Sequence, residues 1–124
     1  MKSFTIFIVL VSLFFLGNCQ KWTPVDRSEV ENNPLIKDLL NFGINLLIEG
    51  GQEDKLIPDN DLVLSEIESV EVSSGCDLSY KFEVVMENEK GATLTALYIV
   101  NYLPETGEKT LDNENQGFEY YAPY

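Results

Sequence analysis

Enzymatic chemistry needs groups that attack, move protons or hold a metal, and the supply of such groups here is lopsided. No histidine occurs in the 124 residues. That removes Ser-His-Asp and Cys-His catalysis and the common zinc sites. Cysteine occurs only at positions 19 and 76, and nothing beside Cys76 has the character of a base. Carboxylates are abundant: 21 Asp and Glu stand against 8 Lys and Arg, for a net charge of −13. Two carboxylates can in principle cleave a glycosidic bond, but no spacing singles out a pair. A chain of 124 residues also leaves little room for a deep, water-excluding cleft. Asp59-Asn60-Asp61 and Asp112-Asn113-Glu114 carry oxygens suited to a weak calcium ion, without the spacing of an EF-hand loop. An acidic ligand- or calcium-binding module is one reading of these clusters, and a solvated surface is the simpler one. The protein is expected not to be an enzyme, and no cofactor is implied.

What remains is binding by shape, and three short stretches have the residue types for it. Ser73-Ser74-Gly75 interrupts two alternating runs and reads as a tight turn. Leu103-Pro104-Glu105 opens a second turn, and Lys21-Trp22 lies near the start of the chain, with Trp22 the single tryptophan. The two turns follow strands that run in the same direction, so both are expected at one end of a sheet, where the Lys21-Trp22 lead-in can also reach. Turn tips held on a rigid sheet make a contact ridge. Trp22 can stand free there as an aromatic anchor or fold back on the sheet.

The elements that must hold these tips are legible from periodicity. Asn33 is a suitable cap and Pro34 suits a first helical position. Leu35, Leu39, Phe42 and Leu46 recur at helical spacing, and Ile36, Leu40 and Leu47 widen the stripe. Gly50-Gly51 reads as the stop, which predicts one amphipathic helix of about four turns. Gly43 lies inside it at a cost of about 1 kcal/mol relative to alanine, so a close approach to a neighbouring layer is expected there. From Leu62 onward the chain reads as strand. The phase blurs between Glu66 and Ser69, the mark of a bulge. Leu78, Tyr80, Phe82, Val84 and Met86 share one face of the next strand, and Leu94, Ala96, Tyr98, Val100 and Tyr102 one face of another. "LPETGEKT" reads as a turn and "GFEYYAPY" as a last short strand. The expected fold is α+β: one N-terminal helix packed across an antiparallel β-sheet of four to five strands, whose other face is polar and wet.

Residues 1–19 have the pattern of a secretory signal peptide: Lys2, the apolar run Phe4 to Leu16, then small residues before a cut after Cys19. Asn18 suits a lipid-anchor signal badly. Residues 20–124 are then the mature domain, exported and with no membrane span. Removing residues 1–19 takes away Lys2 and no acid, so the charge moves from −13 to −14. Such a chain repels nucleic acid and anionic membranes. Cys76 is left without a partner in its own chain. Burial is the common fate of such a thiol, which leaves a monomer, and a disulfide-linked dimer through Cys76 is the alternative.

In order and pattern, residues 20 to 124 resemble the cystatins, inhibitors of papain-like cysteine proteases. "NPLIKDLLNFGINLLIEGG" looks like the helix of that family. "WTPVD" looks like its N-terminal segment, "VEVSSGCDLSYKFEV" like the strands around its Gln-x-Val-x-Gly hairpin, and "LYIVNYLPETGEKTL" like its Pro-Trp hairpin. The resemblance implies a wedge that blocks the protease cleft without being turned over. Carried over position by position, the wedge consists of Lys21 and Trp22, then Glu71, Val72, Ser73, Ser74 and Gly75, then Leu103, Pro104 and Glu105. Gly75 and Pro104 match the family. Glu71 stands for glutamine, Ser73 for valine and Glu105 for tryptophan, and Gln20-Lys21 stands where glycines are usual. The implied function is a secreted inhibitor of papain-like cysteine proteases. The alternative is a cystatin-fold secreted protein that has lost inhibition and binds another partner.

Overall fold

The structure, a computed structural model, describes residues 21–58, 61–74 and 77–123. The expected signal segment 1–19, Gln20, Gly75 and Cys76 lie outside them, as do Asp59 and Asn60 of one acidic cluster. Among the described residues the elements are β1 (Thr23–Pro24), α1 (Arg27–Asn32), α2 (Pro34–Glu53), β2 (Val63–Ser73), β3 (Leu78–Glu87), β4 (Thr93–Leu103), β5 (Glu108–Leu111) and β6 (Gly117–Tyr121). The fold is α+β: one main helix, α2, packs on an antiparallel sheet. None of the described helices is long and apolar enough to cross a membrane.

The helical region is split in two by one residue. Pro34 disfavours helical backbone at the position before it, and Asn33 is extended, with φ −95° and ψ 110°. Its N–H closes α1 on the Glu29 carbonyl at 3.0 Å, and its Oδ1 accepts the Leu35 N–H at 3.0 Å to cap α2. α1 was not expected, since only Val30 of its six residues is buried and it has no apolar stripe. The far end of α2 also differs from expectation, because the helix passes through Gly50-Gly51 and ends at Glu53. Its stop is a Schellman arrangement without glycine: Leu56 N–H bonds to Gly51 O at 2.7 Å, Lys55 N–H to Gln52 O at 3.0 Å, and Lys55 takes φ 61°. Gly51 serves packing instead. A Cβ there would lie 2.8 Å from Ile57 Cγ1 and 3.3 Å from Phe118 Cζ.

The buried face of α2 is Ile36, Leu39, Leu40, Gly43, Ile44, Leu47 and Gly51. The expected stripe is rolled by about one position, leaving Leu46 40 % exposed and Leu35 and Phe42 half-buried. The cause is Gly43. A Cβ at this position would lie 2.5 Å from Tyr98 Cδ2 and 3.0 Å from Val100 Cγ2, so the sheet meets the helix at bare backbone. Tyr98 is fully buried, meets the Phe82 ring in a tilted contact at 5.3 Å between centroids, and donates its hydroxyl to Leu40 O at 2.8 Å. Burial pushes the ionisation of Tyr98 well above the usual tyrosine range.

Across the sheet the order is β1-β2-β3-β4-β5, with β6 also on β4. β5 pairs with residues 100–103 of β4 and β6 with residues 93–97. They are two halves of one interrupted strand, and the sheet has five positions built from six strands, one more than expected. β5 was read as turn because only Gly107 at φ 79° marks where the turn ends; the four residues after it have no apolar alternation. β2 carries two register shifts, between Leu64 and Glu66 and between Ile67 and Ser69, where its phase is blurred.

Three substitutions test this packing. Gly43→Ala should lower stability by about 1–3 kcal/mol, because overpacking outweighs the gain in helix propensity. Gly50→Ala, where a Cβ meets nothing within 4 Å, should raise it by about 1 kcal/mol; urea unfolding reads both. Tyr98→Phe should cost about 1 kcal/mol near neutral pH. In the unfolded chain tyrosine ionises near pH 10, whereas native Tyr98 stays protonated. Its contribution is therefore complete below about pH 10 and is lost as pH rises, at about 1.4 kcal/mol per pH unit. The gap between wild type and Tyr98→Phe should close when the unfolding is repeated at about pH 11.

Candidate functional site

Antiparallel pairing decides where the three candidate stretches end up. β2 and β4 run one way and β3 and β5 the other, so the end of β2, the start of β3, the end of β4 and the start of β5 share one edge of the molecule. The N-terminal lead-in joins them: Thr23 pairs with Val72, and Lys21 N–H reaches Ser73 Oγ at 3.3 Å. Lys21, the Ser74 turn and the Pro104–Gly107 turn are thus gathered at one end, as expected, from positions more than 80 residues apart.

A polar row lies just behind the tips. Ser73 pairs with Ser79, Ser79 with Asn101 and Asn101 with Thr110. Ser79 Oγ bonds to Asn101 Oδ1 at 2.6 Å, and Ser73 and Ser79 are each only 1 % exposed. Together with the lead-in contact, the row fastens neighbouring strands side by side at the point where they leave the sheet. The second turn closes on itself, with Gly107 N–H on Leu103 O at 2.7 Å and Thr106 N–H on the same carbonyl at 3.3 Å. A shallow hollow of about 200 Å³ separates the two hairpins and is lined by Asp77, Tyr102, Leu103 and Glu108 among others.

The ten expected contact residues do not behave alike. Lys21, Ser74, Leu103, Pro104 and Glu105 are exposed at the tips. Gly75 lies outside the described residues. Val72 pairs with Tyr80 and packs half-buried against the core on the helix side. Ser73 is buried and engaged with Lys21. Glu71 pairs with Lys81 on the outer face, the face away from α2, and its carboxylate is 3.4 Å from Lys81 Nζ. Trp22 does not stand free. It is half-buried, with Lys81 Nζ 4.6 Å from its ring centroid, so one lysine carries both an ion pair and a cation–π contact. Around them the outer face departs from the polar, wet face that alternation predicts. Ile99 is 5 % exposed there, in a hollow shared by Trp22, Lys81, Leu97 and the 115–117 segment.

Sequence reasoning missed Lys81, Asp77 and Glu108. Lys81 was visible only as a polar position in an alternating strand; its role follows from the register that sets it opposite Glu71. With Asp77, Glu105 and Glu108 against Lys21, the contact end is acidic. Asp112 of the second acidic cluster caps its own loop, accepting the Glu114 N–H at 2.9 Å and the Asn115 amide at 3.2 Å. The ionisations that burial raises, those of Tyr98 and of Tyr80, belong to the core; for Tyr80 the Glu29 carboxylate adds to burial. The arrangement can therefore present a stiff, self-braced ridge to a partner. Neither known protein families, nor curated proteins, nor solved structures offer a match to this chain.

The bracing has a readout. Trp22 emission, unmixed with that of any other tryptophan, should be blue-shifted and protected from a collisional quencher. Lys81→Ala should red-shift and deprotect it while lowering stability by no more than about 1 kcal/mol, the scale of a half-exposed charge pair.

Proposed function

We propose that the chain is a secreted inhibitor of papain-like cysteine proteases that blocks the cleft with its N-terminal segment and two hairpin tips. The observation that carries this reading is the gathering of Lys21, Ser74 and Leu103-Pro104-Glu105 at one end of a five-position sheet backed by a helix. That is the layout which the resemblance to the cystatins implies. Such an inhibitor needs no proton transfer of its own. It needs tips that lose little freedom when they dock, because ordering costs subtract directly from affinity. The ladders behind the tips and the Ser79–Asn101 bond supply that stiffness.

The departures from the family pattern weigh less than their number suggests. Glu71 puts its charge against Lys81 on the outer face, so it does not have to be buried unpaired in a cleft. Glu105 is different, because it is exposed at the tip of the second hairpin. Stripping water from an unpaired carboxylate is costly, and a few kcal/mol moves a nanomolar inhibitor into the micromolar range. The exposed Glu105 also favours a second reading, in which the scaffold is kept, inhibition is lost and the acidic end meets another, basic partner.

Titrating papain with the purified protein separates the two. Competitive inhibition at micromolar concentration is expected, and Glu105→Trp should tighten it at least about tenfold by replacing a charge with an aromatic anchor. A folded protein that leaves papain untouched at micromolar concentration, with Glu105→Trp equally inert, would sink the inhibitor reading and leave the second.

A further inference from the structure

The helix does not cover its face of the sheet to the edge. Between the C-terminal half of α2 and the β5–β6 flank runs an open groove of about 930 Å³, within the roughly 300–1,000 Å³ typical of small-molecule sites. Its walls are mixed: Phe42, Leu46, Leu47, Leu111, Phe118 and Tyr120 give the apolar surface, and polar and charged groups make up much of the rest. Leu56 at the helix end stands 58 % exposed beside it. None of the tip residues contributes to it.

Three glycines line this groove; Gly51 is accounted for by its packing on Ile57, and the other two are Gly50 on α2 and Gly117 at the start of β6. Neither has a positive φ, and a Cβ on either would meet nothing within 4 Å. Neither turn geometry nor packing within the chain accounts for them, in contrast to Gly43 and Gly51. Glycine weakens the interior of a helix and the body of a strand, and it is otherwise kept where a ligand must approach the backbone. An occupant resting on both bare segments supplies the missing reason.

Charge selects the occupant. Lys109 is the cation of the groove, and its Nζ is already 2.8 Å from Asp38 Oδ2 and 5.3 Å from the centroid of the Phe42 ring. Asp54 lines the same groove and has no ion-pair partner among the described residues. The chain carries −13 overall, so an anionic head is repelled and a cationic one attracted.

We propose that this groove binds a small amphipathic cation, its apolar body lying between α2 and the β5–β6 flank over Gly50 and Gly117, and its amine or quaternary ammonium head at Asp54. The site is separate from the tips and stands or falls independently of protease inhibition.

The test is a fluorescence titration of the purified protein with a dansyl-labelled alkylamine and, in parallel, with the matching dansyl-labelled carboxylate. The amine probe should saturate at one equivalent with a blue shift, and the carboxylate should bind at least about fivefold more weakly. Gly50→Leu fills empty space, so it should keep or raise Tm while weakening the amine probe at least about tenfold. Asp54→Asn should weaken it about two- to fivefold, the size of an exposed charge pair. Gly117→Val blocks the opposite wall and serves in place of Gly50→Leu if that variant melts early. Failure of the amine probe to saturate, preference for the carboxylate, or unchanged binding in a stably folded groove-filling variant overturns the proposal.

Discussion

The structure depends on one contact, the seating of the Tyr98 ring against the backbone of α2 at Gly43. Without a side chain at position 43 the helix comes down onto β4 far enough for the Tyr98 hydroxyl to reach Leu40 O. A buried hydroxyl must find a partner or be left unsatisfied at a cost of about 1–3 kcal/mol, so the tyrosine fixes the height and the rotation of the helix together. The roll of the apolar stripe follows from it. Once Gly43 faces the sheet, Ile36, Leu40 and Leu47 point inward and Leu46 is carried out towards solvent.

That seating also sets what the two ends and flanks of the molecule can do. The N-terminal half of α2 lies over the region of Val72 and Tyr80, and its C-terminal half reaches Phe118 through Gly51. The helix thus supports the strands from which the tips emerge and leaves the β5–β6 flank only partly covered. The interruption between β5 and β6 opens that flank further. Asp112 N–H still bonds to Ile99 O at 2.9 Å, but the chain then leaves the ladder until Gly117. A contact end that is braced and a flank that is open are two consequences of one oblique packing.

On the outer face, Lys81 links parts of the chain that sequence distance keeps apart. It holds Glu71 of β2 and Trp22 of the lead-in at once. Both groups of the ion pair are about a third exposed, with side-chain values of 28 % and 33 %, so their contribution to stability is small. Their effect is positional: the lead-in is held against the sheet, and Lys21 arrives beside Ser73.

Sequence alone determined the fold class, the start of α2 and the strong strands. Capping at Asn33-Pro34 and the two-residue alternation of β3 and β4 are local effects, carried by neighbours within a few positions. It also determined that the two turns share one end, because antiparallel hairpins allow nothing else. The end of α2 was not legible, since glycine is the same letter whether it stops a helix or makes room for Ile57. β5 was not legible either, because it pairs at an edge with little apolar alternation of its own. The burial of Ser73 under the lead-in, the removal of Glu71 from the tip and the folding back of Trp22 were decided by register, which sets each residue opposite a partner far along the chain. The groove beside α2 was likewise set by tertiary structure alone, because an empty space has no residue to announce it.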